Sequence, residues 1–274
     1  MKPTHDTPQA APHALAGKTM TGAEMIVQVL ADEGVDTIFG YSGGAILPTY
    51  DAIFRYNAEH LDEEGREPMP LIVPANEQGA GFMAAGYALA KGEVGVVMVT
   101  SGPGATNTVT PVRDCMADST PIVVICGQVP IAAIGTDAFQ EAPVSSCLGP
   151  VSKHTFLVTN PELLEKTVRT AFEIARTGRP GPVVVDLPKD IQNWSGTFQG
   201  SGLLPVRGYR QRIHAVRNNV LEKQECEAFF DMLQQSERPL IYAGGGVING
   251  NAADELRRFS SHLGIPVTTT LMGI

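Results

Sequence analysis

Positive charge is scarce in this sequence: 20 lysines and arginines stand against 29 aspartates and glutamates, a net charge of −9 over 274 residues. Binding nucleic acid or an anionic membrane surface takes clustered lysine and arginine, so neither partner is implied and small-molecule chemistry is the better starting point. Long apolar runs are also missing. None reaches the roughly 18 residues that span a bilayer, and the N-terminus has no apolar signal-peptide core. Cysteine is limited to Cys115, Cys126, Cys147 and Cys226, with no C-x-x-C pair. That spacing excludes a disulfide-stapled scaffold and a structural zinc site, leaves no metal site expected in this chain, and fits a reducing cytoplasm.

The length and apolar content suffice for one large α/β domain and part of a second. Residues 1–19, rich in Pro, Ala, Thr and His, read as a disordered tail. From Thr21 onward helical patterns alternate with short β-branched runs, the signature of strand–helix–strand units and a parallel sheet with helices on both faces. The periodicity predicts helices near 21–34, 45–57, 77–91, 104–116 and 161–177, and strands near 36–40, 71–73, 94–100, 121–126 and 182–187. The runs Val94–Thr100 and Pro121–Cys126 are almost continuously apolar, which predicts central strands covered on both sides.

A first domain is therefore expected over residues 20–190. Residues 191–212, with Gly196, Gly200, Gly202, Pro205 and Gly208, read as a linker. A second α/β pattern occupies 213–274, with helices near 222–235 and 251–263, strands near 240–243 and 266–270, and a turn at Gly244, Gly245 and Gly246. Two strands and two helices cannot cover both faces of an open parallel sheet, so this second unit reads as the start of a larger domain.

Three segments invite a chemical reading. Glu77 follows an apolar strand, and Asn76 can cap the helix that begins there, placing Glu77 in its first turn. An acid at that place also serves simply to complement the helix dipole. The loop Ser101–Asn107 leaves a buried strand and opens a helix, and its glycines suit either close packing or the approach of a ligand to backbone N–H groups. Gly244–Gly246 completes no G-x-G-x-x-G fingerprint, so no nicotinamide site is assigned there.

In order along the chain stand Gly40-Tyr41 with Gly43 to Pro48, Glu77-Gln78-Gly79-Ala80, Val99 to Asn107, Asp118-Ser119 with Pro121, and Gly127 to Pro130. There follow Gly135-Thr136-Asp137-Ala138-Phe139-Gln140-Glu141, Lys153-His154, Gly178 to Pro182 and Asp186 to Asp190, then Gly244 to Gly246 and Thr270 to Gly273. This succession resembles the large subunit of acetolactate (acetohydroxyacid) synthases, thiamine-diphosphate enzymes, from about Met20 to Ile274. The string Gly135 to Glu141 is its most discriminating piece. Ser42 stands where the family usually has proline, Asn76 where histidine commonly precedes the glutamate, and Asn57–Pro70 reads as an acidic insertion.

The resemblance implies a first domain that binds the aminopyrimidine end of thiamine diphosphate and a Rossmann-like central domain associated with FAD. It also implies a third domain, absent from this chain, that grips the diphosphate through Mg2+. Glu77 is then the catalytic carboxylate, able in a dry pocket to share a proton with the pyrimidine nitrogen. Tyr41, Gly44, Pro103, Asn107 and Gln140 surround the cofactor, while Phe139 and Lys189 shape the substrate channel. Arg179, Gly244, Gly245, Gly246, Thr270, Leu271 and Met272 match flavin-binding positions.

The implied reaction decarboxylates pyruvate and joins the two-carbon unit to pyruvate or 2-oxobutyrate, in branched-chain amino-acid biosynthesis. Its partners are small 2-oxo acids, further copies in a homodimer or tetramer, and a regulatory small subunit. Another thiamine-diphosphate decarboxylase or carboligase, or a non-catalytic dimerisation module, is the alternative. Without the third domain the chain is expected to be inactive alone.

Overall fold

The computed structural model describes residues 12–274, so the expected disorder of residues 1–11 lies outside the described residues. The chain divides into two compact units, up to Arg210 and from Gln211 to Ile274.

The first unit begins with β1 (Thr19–Thr21) and α1 (Gly22–Asp32). A capping box starts α1: the Glu24 N–H donates to Thr21 Oγ1 at 3.2 Å and the Thr21 N–H to Glu24 Oε2 at 2.8 Å, satisfying two N–H groups that the helix itself leaves free. There follow β2 (Ile38–Tyr41), α2 (Leu47–Glu59), β3 (Leu71–Ile72), α3 (Glu77–Lys91), β4 (Gly95–Val99), the short α4 (Pro103–Thr106) and α5 (Val109–Asp118). Next come β5 (Ile122–Gln128), α6 (Val144–Leu148), β6 (His154–Leu157), α7 (Leu164–Arg176), β7 (Val183–Pro188), α8 (Lys189–Asn193) and β8 (Ser195–Thr197).

Among the described residues, six of these strands form one parallel sheet in the order β3-β2-β4-β5-β7-β6. β4 and β5 are central, as their unbroken apolar runs predict. Alternate residues feed two cores. Val96, Met98, Val123, Ile125, Val183 and Val185 pack under α1, α2 and α7, while Val97, Val99, Val124, Cys126 and Val184 pack under α3, α5 and α6. Both faces are dry, which is why these strands show no polar alternation.

Three expectations are corrected. Residues 12–19 are not all tail: β1 pairs antiparallel with β8, and His13 bonds Asp32 at 3.0 Å. Nor is 191–212 a free linker, since Ile191, Gln192 and Phe198 are buried in the first unit. The expected helix 104–116 is split at Asn107–Thr108 into α4 and α5. Pro111 has no N–H to give, so it is tolerated only in the first turn of a restarted helix.

The second unit continues α9 (Tyr209–Arg217) with α10 (Lys223–Gln234), β9 (Ile241–Ala243), α11 (Gly246–Asn249), α12 (Ala253–Leu263) and β10 (Val267–Thr269). β9 and β10 pair in parallel. Among the described residues, no helix is long and apolar enough to cross a membrane.

Candidate cofactor site

The connections after β2, β3, β4 and β5 meet at the carboxyl edge of the parallel sheet, where open α/β sheets place their ligands. Glu77 enters from the β3–α3 connection as the first residue of α3. Asn76 caps that helix by accepting the Gly79 N–H at 2.8 Å. Only 8% of Glu77 is exposed. Its Oε2 accepts from Asn107 Nδ2 at 3.0 Å, so α4's far end holds the carboxylate from the side.

Its Oε1 looks toward Gly104. A Cβ on Gly104 would lie 3.7 Å from Oε1 and 2.7 Å from Thr100 Cγ2, and one on Gly43 would lie 2.5 Å from the Thr100 side chain. Thr100 Oγ1 also accepts the Ala45 N–H at 3.3 Å, tying the β2–α2 loop to the end of β4. Beneath it Tyr50 donates to the Met98 carbonyl at 2.9 Å. Burial, and then the charge of Glu77, push the Tyr50 hydroxyl well above its ordinary pKa, so it stays a neutral donor.

Gly40 is the tightest point of this support: an added Cβ would meet Met98 O at 2.3 Å and Tyr50 Oη at 2.4 Å. Gly40→Ala is therefore expected to lower unfolding free energy by roughly 1–3 kcal/mol. Gly44, with nothing within 4 Å of its would-be Cβ, should accept alanine within about 0.5 kcal/mol. Urea titrations of the two variants check the contrast; equal midpoints would sink it.

The loop 135–141 overhangs the cradle. Glu141 closes it by accepting the backbone N–H of Gly135, and that of Ala138 at 3.1 Å; these bonds, the one from Gly135 foremost, hold its carboxyl below the usual range. Asp137 and Gln140 both have positive φ, +55° and +59°, a conformation that costs a residue with a Cβ roughly 1–2 kcal/mol. Gly102, at φ +57°, comes so close that a Cβ would sit 2.6 Å from the Gln140 carbonyl oxygen. Only glycine fits there.

The expected site residues thus fall into groups. Tyr41 at the end of β2, Pro103 at the start of α4, and Gly44, Asn107, Phe139 and Gln140 are exposed at this edge, with Phe139 88% exposed. Lys189 opens α8 and lines a cleft of about 380 Å³ with Leu47, Asp51 and Arg55. Arg179 lies instead at the opposite, amino-terminal edge, where it donates to Ser119 Oγ at 2.7 Å and to the Met116 and Ala117 carbonyls that end α5. In the second unit, Gly244–Gly246 and Thr270–Met272 meet after β9 and β10. The Thr270 N–H donates to the Ala243 carbonyl at 2.9 Å, and a Cβ on Gly245 would lie 2.7 Å from Met272 O.

Four side chains escaped the sequence reading as individual contributors: Tyr50, Thr100, Gln128 and Asp186. Asp186 was the most findable, an acid inside the apolar run Val183–Leu187. Among the described residues, no group of three or more His, Cys, Asp or Glu side chains is placed to hold a metal ion.

A buried carboxylate at this edge of a parallel sheet covered on both faces is the arrangement of a ligand-binding α/β domain. Residues 20–146 match the family described as "Thiamine pyrophosphate enzyme, N-terminal TPP binding domain", and residues 226–274 match "Thiamine pyrophosphate enzyme, central domain". The chain is 42% identical over 275 residues to the acetolactate synthase large subunit of Corynebacterium glutamicum, covering all of this chain and 41% of that protein. It is 43% identical over 257 residues to the probable acetolactate synthase large subunit of Methanocaldococcus jannaschii, covering 93% and 41%. With the mitochondrial acetolactate synthase catalytic subunit of Saccharomyces cerevisiae it shares 42% over 258 residues, covering 93% and 36%. The chain belongs to the thiamine pyrophosphate enzymes, in their acetolactate synthase family. It spans about two fifths of the length of these relatives.

Proposed function

We propose that this chain supplies the cofactor-activating half of a carboligase site, in a cytoplasmic enzyme that decarboxylates pyruvate and joins the two-carbon unit to pyruvate or 2-oxobutyrate. The observation that carries the reading is Glu77, buried, held on one oxygen by Asn107 and facing Gly104 with the other. That arrangement fits an aminopyrimidine, whose ring nitrogen needs a carboxylate partner.

When bound, thiamine diphosphate supplies the carbanion chemistry. Glu77 would set its free oxygen toward the ring nitrogen, and Asn107 would keep the carboxylate from turning away. Gly43 and Gly104 let the Thr100 side chain pack beneath the two loops, while Tyr41, Gly44, Pro103 and Gln140 would form the rim. Phe139 shapes the entrance, and the Lys189 ammonium draws in the 2-oxo acid by charge. On the same reading magnesium and the diphosphate belong to a further domain of the whole enzyme. Gly244–Gly246 with Thr270–Met272, and Arg179, are assigned to FAD.

The test is product analysis on the enzyme incubated with pyruvate, thiamine diphosphate and magnesium. Acetolactate, detected as acetoin after acid decarboxylation, is expected. Acetaldehyde alone would point to a plain decarboxylase instead.

The partner side of the proposal is a homodimer, joined by a regulatory small subunit in the assembled enzyme. On α3, Phe82, Met83 and Leu89 are 42%, 46% and 57% exposed, apolar side chains that a second copy would cover. Sedimentation is expected to show a dimer that Met83→Glu shifts to monomer. Monomer alone at high wild-type concentration would refute the assignment of α3.

A further inference from the structure

Asp186 lies in β7 among Val184, Val185, Leu187 and Pro188, all buried, and is itself 3% exposed. Its Oδ2 accepts from Gln128 Nε2 at 3.3 Å. Among the described residues, its Oδ1 is the buried side-chain atom left with no hydrogen-bond partner. An ionised carboxylate in that position would be badly solvated, whereas a neutral acid is tolerable.

Gln128 cannot turn to help. Its Oε1 accepts the Val129 N–H at 2.9 Å, and its Nε2 also donates to the Ala142 carbonyl at 3.0 Å. Ala142 is where the loop 135–141 returns to the body of the domain, one residue after the Glu141 clasp. A chain of contacts therefore runs from Asp186 through Gln128 to the foot of the loop that carries Phe139 and Gln140.

We propose that Asp186 is a positioning residue: buried as a neutral acid beneath the foot of the loop 135–142 it favours the closed loop over the cradle, and its ionisation, which needs water at the carboxylate, favours the open one. This rests on the cradle being the cofactor site. Burial, only partly offset by the Gln128 bond, raises its pKa to about 7, with no charged group among the causes. On β5 the neighbouring titratable group is Cys126, whose thiol burial, and then Asp186, push well above its ordinary value. The register partner on β6 is Leu157, α6 brings Cys147 as its one titratable side chain, and Glu141 spends its carboxylate on backbone N–H groups.

If opening the loop admits water, the open form loses its proton near the ordinary value of 3.8 and the closed form near 7. Opening is then favoured increasingly as pH rises between those values, and levels off above 7. Hydrogen exchange of peptides spanning 129–148, corrected for the intrinsic pH dependence of exchange, is the test. Loop protection in the wild-type chain is expected to fall at least tenfold from pH 5 to pH 7. In Asp186→Asn it should stay level within about twofold, while α1 amides remain protected throughout. Flat protection in the wild type, or the same fall in the variant, overturns the proposal. Should the variant fail to fold, a 13C titration of the wild-type Asp186 carboxyl decides: a midpoint near 7 supports the proposal and one near 4 overturns it. No cofactor or substrate is needed, so the result is independent of whether the enzyme proves to be a carboligase.

Discussion

Glu77→Gln in the enzyme is expected to cut acetolactate formation by roughly a hundred- to ten-thousand-fold, the usual weight of a positioned acid–base group. Glutamine has the same shape, and its amide oxygen can still accept from Asn107 Nδ2, now 3.0 Å from Glu77 Oε2. The cradle then faces an NH2 group, which cannot hold a shared proton against a ring nitrogen. Structure should survive. The lost carboxylate sits at the start of α3, where its interaction with the helix dipole is worth about 0.3–1 kcal/mol, and Asn76 still caps the helix. Parallel measurements of product formation and urea midpoint separate the two effects. A rate near wild type would remove Glu77 from the mechanism; a collapsed midpoint would make it a structural acid.

The place of that glutamate in the fold, at the start of a helix, was legible in the sequence because several signals coincide on it. An apolar strand ends, an asparagine cap follows, and the predicted helix 77–91 matches α3 (Glu77–Lys91). The central strands were legible for a similar reason, since burial on both faces writes itself as a run of valines and isoleucines. β6 was not. His154–Leu157 is four residues long and no member is fully buried, so an edge strand of this kind carries no pattern that a loop could not share. β1 and β8 failed the same way, as three-residue segments defined only by each other. In 191–212 the glycines misled, because Phe198 finds its place against His13 and Arg169, far away in sequence.

The cradle was legible only in outline. Gly43, Gly102 and Gly104 are individually unremarkable, and their purpose is set by what lies opposite, the Thr100 side chain or the Gln140 backbone. Spacing along the chain does not encode such meetings across loops. Arg179 shows the converse. Its match to flavin-binding positions is a sequence statement, while in the structure its guanidinium ends α5 by binding the Met116 and Ala117 carbonyls. A side chain so held at a helix C-terminus already has a structural use through the helix dipole.

The second large effect concerns the stability of the first unit against pH. The folded-state pKa of Asp186, about 7, lies above its unfolded value of 3.8. An unfolded chain therefore gives up this proton near pH 4 while the folded chain keeps it to about 7. The unfolded state binds fewer protons in that window, so stability falls as pH rises through it, is fully present below pH 4 and levels off above 7. The gap between the two values corresponds to at most roughly 4 kcal/mol. Water reaching the carboxylate in the folded state would trim that, so a change of about 2–4 kcal/mol is expected. Asp186→Asn removes the proton equilibrium while keeping the side chain's size. Relative to the wild type the variant should thus gain about 2–4 kcal/mol between pH 4 and pH 7, whatever constant penalty its unpartnered NH2 group brings. Trp194 is the single tryptophan of the sequence and packs against the core of this unit, so its fluorescence in urea reports the right transition. A wild-type-minus-variant difference that does not change with pH would show that Asp186 is ionised in the folded protein at neutral pH, and that its second oxygen finds solvent.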